Sequence, residues 1–177
     1  MLRYVWILFI SAAVLAGCGA EEPADMEGAE AEAPATTEAT DEAPQDLFWS
    51  RLESLCGQAF AGEALDAPEG DDTFHDEELV MHVRQCFDDE IRIPFHVSDN
   101  HSRTWIFTQT DDGLRLKHDH RNEDGSEEEI TQYGGDTEAE GTAMSQSFPA
   151  DQFTADLLPA AASNVWTVEV TDEAYTY

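Results

Sequence analysis

Two histidines at alternate positions, His118 and His120, are the residues of this sequence whose type and spacing best fit chemistry. Side chains two apart on a β-strand project from the same face of a sheet. Both imidazoles could therefore meet one ligand or one metal ion, as paired histidines do in zinc sites. A metal centre needs a further ligand, for which His82, His96 and Glu129 are candidates. One hypothesis is thus a metal-dependent enzyme that uses His118, His120 and Glu129.

A turn signal before this segment predicts what faces the two histidines on one side. Asp112-Gly113 is typical of a two-residue hairpin turn. That turn would place Phe107 opposite His118 and Trp105 opposite His120. The neighbouring strand would then supply aromatic rings to the histidine face.

A turn signal after the segment, Asp124-Gly125, predicts the partners on the other side. That turn would place Thr131 opposite His118 and Glu129 opposite His120. A slip of one residue would rearrange the faces. In the predicted register, one face carries aromatic rings, two imidazoles, a carboxylate and a phenol: Trp105, Phe107, Leu116, His118, His120, Glu129 and Tyr133.

This face predicts a pocket for a small hydrophobic or anionic ligand, bound by Trp105, Phe107, His118, His120 and Tyr133. The competing interpretation is that the histidines lie at the solvent-exposed end of a core face and form hydrogen bonds with their neighbours. No phosphate-binding loop or nucleophile elbow accompanies the pair. We therefore assign no catalytic residue and expect no cofactor.

The opposite face of the same predicted strand carries three bases, Arg115, Lys117 and Arg121. They could form a docking stripe for an anion. They could equally make cross-strand ion pairs, for instance between Arg121 and Glu128.

Periodicity along the chain predicts the elements that position these residues. Asp46 and the apolar spacing after it predict a helix at about 47–60. From residue 79 onward the apolar period is two, with turn signals between short segments. The sequence thus predicts a mainly β (α+β) domain: an N-terminal helix and an antiparallel meander of seven or eight strands, forming a barrel or half-barrel. The arrangement resembles the calycin-type barrel in outline, although the family's Gly-x-Trp start motif is missing.

The N-terminus carries a targeting signal. Arg3 precedes an apolar stretch of 14 residues, which ends in Leu15-Ala16-Gly17-Cys18. This order resembles the lipobox of bacterial lipoproteins. The resemblance implies a signal peptide over 1–17, lipidation of Cys18 and, with Gly19 next, an anchor in the outer membrane facing the periplasm.

Residues 18–46 would hold the lipidated cysteine and an acidic, low-complexity linker, and 47–177 one globular domain. An exported domain with two cysteines usually pairs them, which predicts a Cys56–Cys86 disulfide. The formal charge of -31 argues against nucleic-acid binding, which needs a basic face.

Together these patterns predict a lipid-anchored protein of the bacterial cell envelope that binds a small ligand or an envelope partner without catalysis. A metal-dependent enzyme and a purely structural accessory lipoprotein are the alternatives.

Overall fold

A computed structural model describes residues 6–10, 42–66 and 73–177, and describes 6–10 by their backbone alone. The described residues are mainly strand. In chain order the elements are β1 (Trp6–Ile10), α1 (Pro44–Ser54), β2 (Ala59–Asp66), β3 (Leu79–His82), β4 (Gln85–Cys86), β5 (Glu90–Val97), β6 (Asn100–Thr110), β7 (Gly113–His120), β8 (Tyr133–Asp136), β9 (Ser145–Pro149), α2 (Gln152–Leu157), a short 3-10 helix (Pro159–Ala161), β10 (Val165–Val170) and β11 (Ala174–Thr176).

The strands pair antiparallel in the order β8-β7-β6-β5-β3-β2-β1-β11-β10-β9, with β4 beside β5. Apart from β1, they fall into a group of seven, β2 to β8, and a group of three, β9 to β11. β1 joins the groups, since Leu8 lies opposite Glu63 of β2 and Thr176 of β11. β1 belongs to the segment predicted to be a signal peptide. Cys18 and linker residues 19–41 lie outside the described residues.

The two ends of this sheet approach each other without closing a barrel. Gly135 of β8 lies so near Pro149 of β9 that an added Cβ would stand 1.7 Å from the Pro149 carbonyl oxygen. No ladder of hydrogen bonds joins β8 to β9 among the strands that the structure describes. The prediction of a mainly β, antiparallel fold is therefore confirmed, whereas a closed barrel is not found.

Helix α1 ends earlier than the predicted span of 47–60. Gly57 adopts a φ of +82°, which ends the helical path, and Ala59–Asp66 continues as β2 instead. The helix begins at Pro44, where a proline is favoured because its missing N–H would be unsatisfied anyway. Phe48 and Leu52 are fully buried, so the apolar face of α1 closes one side of the core.

The core lies between the concave face of the sheet and α1. Alternating residues of the strands bury their side chains there, as a half-covered antiparallel sheet requires. The largest fully buried side chains are Phe48, Phe95, Phe107, Phe148, Leu52, Leu79, Met81, Ile91, Ile93 and Leu116. None of the helices in the described part of the chain combines the length and apolar character needed to span a bilayer.

Cys56 and Cys86 form the predicted disulfide, with the two Sγ atoms 1.95 Å apart. The bridge ties the end of α1 to β4 across a sequence separation of 30 residues. Closing a loop of that length contributes about 3–4 kcal/mol to the free energy of unfolding. The disulfide thus fixes α1 against the sheet that carries the histidines.

Candidate functional site

The hairpin of β6 and β7 places the histidines in a register that differs by two residues from the predicted one. Trp105 lies opposite His118, Arg103 opposite His120, and Phe107 opposite Leu116. The turn is Asp111-Asp112 rather than Asp112-Gly113, because Gly113 is already the first residue of β7 with a φ of +138°. A shift of two residues preserves the faces of both strands, so the histidines still share a face with Trp105.

The partner of β7 on its other side is shorter than predicted. Residues 127–132 bend away from a regular strand, and Gln132 adopts a φ of +59° while its N–H donates to the His118 carbonyl at 2.6 Å. β8 starts at Tyr133, which lies opposite His118. The predictions of Thr131 opposite His118 and Glu129 opposite His120 are therefore wrong, because an irregular segment replaces the second half of the predicted hairpin.

These strands line a cavity of about 350 Å³, which includes solvent at its mouth. Its wall combines aromatic rings with one guanidinium, two imidazoles and three hydroxyls, and no acidic side chain among the described residues belongs to it: Phe74, Phe95, Arg103, Thr104, Trp105, His118, His120, Tyr133 and Tyr177.

Four of the five predicted ligand-binding residues line this cavity, namely Trp105, His118, His120 and Tyr133. Phe107 does not, because it is buried against Phe148 with ring centroids 5.8 Å apart.

Sequence reasoning missed three polar residues of the cavity wall, Arg103, Thr104 and Tyr177. Arg103 follows the same alternation as Trp105 and could have been found from it. Tyr177 reaches the cavity from the last strand, and no local signal predicts that contact.

His118 is buried, and both of its ring nitrogens have partners. Nδ1 lies 3.0 Å from the Tyr133 carbonyl oxygen, and Nε2 lies 2.5 Å from the Tyr177 hydroxyl. Burial lowers the pKa of His118 to about 3, so the ring is neutral near pH 7. Because a carbonyl only accepts, Nδ1–H donates to Tyr133 and Nε2 accepts from the Tyr177 hydroxyl.

His120 and Tyr133 form the polar pair nearest the open side of the cavity. His120 Nε2 lies 3.1 Å from the Tyr133 hydroxyl, and Nδ1 lies 3.9 Å from a Glu128 carboxylate oxygen. Burial lowers the pKa of His120, and the Arg103 charge lowers it further. Burial also raises the pKa of Tyr133. Both groups are therefore neutral near pH 7, which makes Arg103 the charged group of the wall.

Trp105 forms the floor of the cavity and is held rigidly. Its ring stacks on Phe95 with centroids 4.7 Å apart and on Tyr177 with centroids 4.5 Å apart. These stacked contacts fix the orientation of the indole in the cavity wall.

The structure does not bring the residues proposed as metal ligands together at one site. Glu129 is exposed on the irregular segment and is not part of the cavity wall. His96 stacks on His101, with centroids 3.9 Å apart, and neither residue lines the cavity; nor does His82. Within residues 42–66 and 73–177, no three His, Cys, Asp or Glu side chains are grouped to hold a metal ion.

The bases on the opposite face of β7 are neutralised by acids of the same chain. Arg115 pairs with Asp136 at 2.6 Å, and Lys117 pairs with Asp151. Arg121 binds Asp119 at 2.9 Å and a second acid, Glu127, at 3.1 Å. The cross-strand pairing that the sequence predicted as one alternative is present, although the partner of Arg121 is Glu127 rather than Glu128.

Comparison of the chain with protein-family models, with curated proteins and with solved structures gives no match.

Proposed function

We propose that this protein is a lipid-anchored component of the bacterial cell envelope whose β-rich domain binds a small molecule without catalysis. The ligand-binding part of this proposal rests on the cavity beside His118 and His120. Its wall supplies shape and a few convergent polar groups, which is the composition that ligand sites share. The curved sheet would then act as a half-barrel around the ligand, in the outline that the calycin resemblance implies.

The rigidity of the wall supports a binding role. His118 is locked by hydrogen bonds to Tyr133 and Tyr177, and Trp105 is held between Phe95 and Tyr177. A preorganised wall loses little conformational entropy when a ligand binds, and so preserves affinity. Apart from Arg103, the polar side chains of the wall that titrate are neutral near pH 7.

A cavity-filling substitution tests the binding role. A small molecule is expected to be released on denaturing the protein purified from its native cells, as detected by mass spectrometry. His120→Trp fills the cavity and should reduce that release at least about tenfold. His101→Trp makes the same change at an exposed histidine outside the cavity and should retain the ligand. Wild-type protein that releases nothing above background would contradict the proposal.

The anchoring role rests on the order of residues around Cys18. Wild-type protein made in a bacterium should remain with the membrane after a high-salt wash and gain the mass of diacylglycerol on a chain that begins at Cys18. Cys18→Ser removes the thiol that would carry the lipid, and that variant should leave the membrane fraction. An unmodified wild-type chain that still contains residues 1–17 would refute the anchor.

A further inference from the structure

Arg103 is the basic residue of the cavity wall, and its Nη1 atom is buried without a hydrogen-bond partner. It has no ion pair among the described residues. By contrast, five other bases of the domain are each paired with an acid: Arg51, Arg92, Arg115, Lys117 and Arg121. A buried donor on a charged group without an acceptor destabilises a fold. None of the acidic side chains that the structure describes lines the cavity, so a ligand bound there could supply the counter-charge for the guanidinium.

The groups around Arg103 define the rest of such a ligand. His120 and Tyr133 are close enough for the Arg103 charge to act on both. They add a polar patch beside the guanidinium but no negative charge. The remaining wall is mostly aromatic, and Phe95 contacts both Phe74 and Trp105. A ligand that satisfies both parts has an anionic end and a flat apolar body.

We propose that the cavity binds a small aromatic carboxylate, with the carboxylate paired with the Arg103 guanidinium and the ring packed among Phe74, Trp105 and Tyr133. This inference rests on the proposed ligand-binding function and names the class of ligand. A guanidinium suits a carboxylate because both groups are planar and the hydrogen bond between them is charge-assisted. A cationic ligand would be repelled by the Arg103 charge, and no described acidic side chain of the wall would attract it.

Isothermal titration of the full chain with phenylacetate and with its neutral analogue phenylacetamide tests the proposal. Phenylacetate is expected to bind at least about tenfold more tightly than phenylacetamide. Arg103→Met keeps the length of the side chain and removes its charge, and should weaken phenylacetate about tenfold to a hundredfold while leaving phenylacetamide unchanged. Arg84→Met, at an exposed arginine outside the wall, is the matched control and should change neither affinity.

The ligand-free melting temperature separates a binding role of Arg103 from a structural one. Arg103→Met removes a buried charge without a partner and should melt at or above the temperature of the wild type. A lower melting temperature would make Arg103 a structural residue and overturn the inference. Equal affinity for the acid and the amide would overturn the ligand class and leave the binding function intact. Failure of both compounds to bind, with no ligand released from native protein, would overturn the binding function as well.

Discussion

Replacing Gly135 with alanine is expected to destabilise the domain by at least about 4 kcal/mol, which removes most of the stability of an ordinary domain. The added Cβ would stand 1.7 Å from the Pro149 carbonyl oxygen, and the atom in the way is backbone. Relief therefore requires β8 and β9 to separate. The hydrogen bond from the Asp151 N–H to the Gly134 carbonyl at 2.9 Å spans the same contact and would be lost with it.

Urea unfolding followed by circular dichroism measures this effect. Gly125→Ala is the matched control, because Gly125 has a φ of +84° but no atom within 4 Å of an added Cβ. That control should cost about 1–2 kcal/mol from backbone strain alone. If both variants lose the same small amount, the close approach of β8 to β9 is not a feature of the folded protein.

The same contact matters for the cavity. Tyr133 immediately precedes the two glycines, and its carbonyl and ring both contact His118. Separating β8 from β9 would move Tyr133 away from its position opposite His118. Ligand release from any folded fraction of Gly135→Ala should therefore fall along with its stability.

Acid should destabilise the domain through His118, with a loss of about 3 kcal/mol between pH 6.5 and pH 4. Burial lowers the pKa of His118 to about 3 in the folded protein, from an ordinary value of 6.5 in the unfolded chain. Within that window the unfolded chain binds the proton and the folded protein does not. Stability therefore falls as pH falls, at up to about 1.4 kcal/mol per pH unit.

The His118→Gln variant isolates this contribution. At pH 7 it should be less stable than the wild type by about 1–3 kcal/mol, because the Tyr133 carbonyl and the Tyr177 hydroxyl lose their well-placed partner. Its stability should fall less steeply in acid, so that the gap to the wild type narrows or reverses near pH 4. His120, whose pKa burial also lowers, titrates in both chains and cancels in the comparison.

Urea unfolding at several pH values measures the two slopes. His75→Gln makes the same substitution at an exposed histidine and serves as the matched control. Parallel curves for the wild type and His118→Gln would mean that His118 is solvated or charged in the folded protein. The buried, neutral imidazole described above would then be wrong.

Local patterns predicted the elements of the site better than their pairing. The alternation through Trp105 and Phe107 and through His118 and His120 placed these side chains on the correct faces of β6 and β7. The register of the β6–β7 hairpin was wrong by two residues, and its faces survived because the side-chain period of a strand is two. In the second hairpin, Tyr133 stayed on the histidine face, whereas Glu129 did not. The irregular path of 127–132 could not be predicted, because it depends on the positive φ of Gln132 and on a contact with the His118 carbonyl.

Sequence alone determined the mainly β class, the helix near Phe48 and Leu52, the Cys56–Cys86 bridge and the sharing of one face by the two histidines. Each of these follows from short-range periodicity or from the presence of two cysteines in one domain. Only the tertiary structure decided that Phe107 belongs to the core, that Tyr177 locks His118, and that Arg103 enters the cavity without a counter-charge. Those outcomes depend on strands far apart in the chain, whose meeting is set by packing and close backbone approach rather than by local sequence.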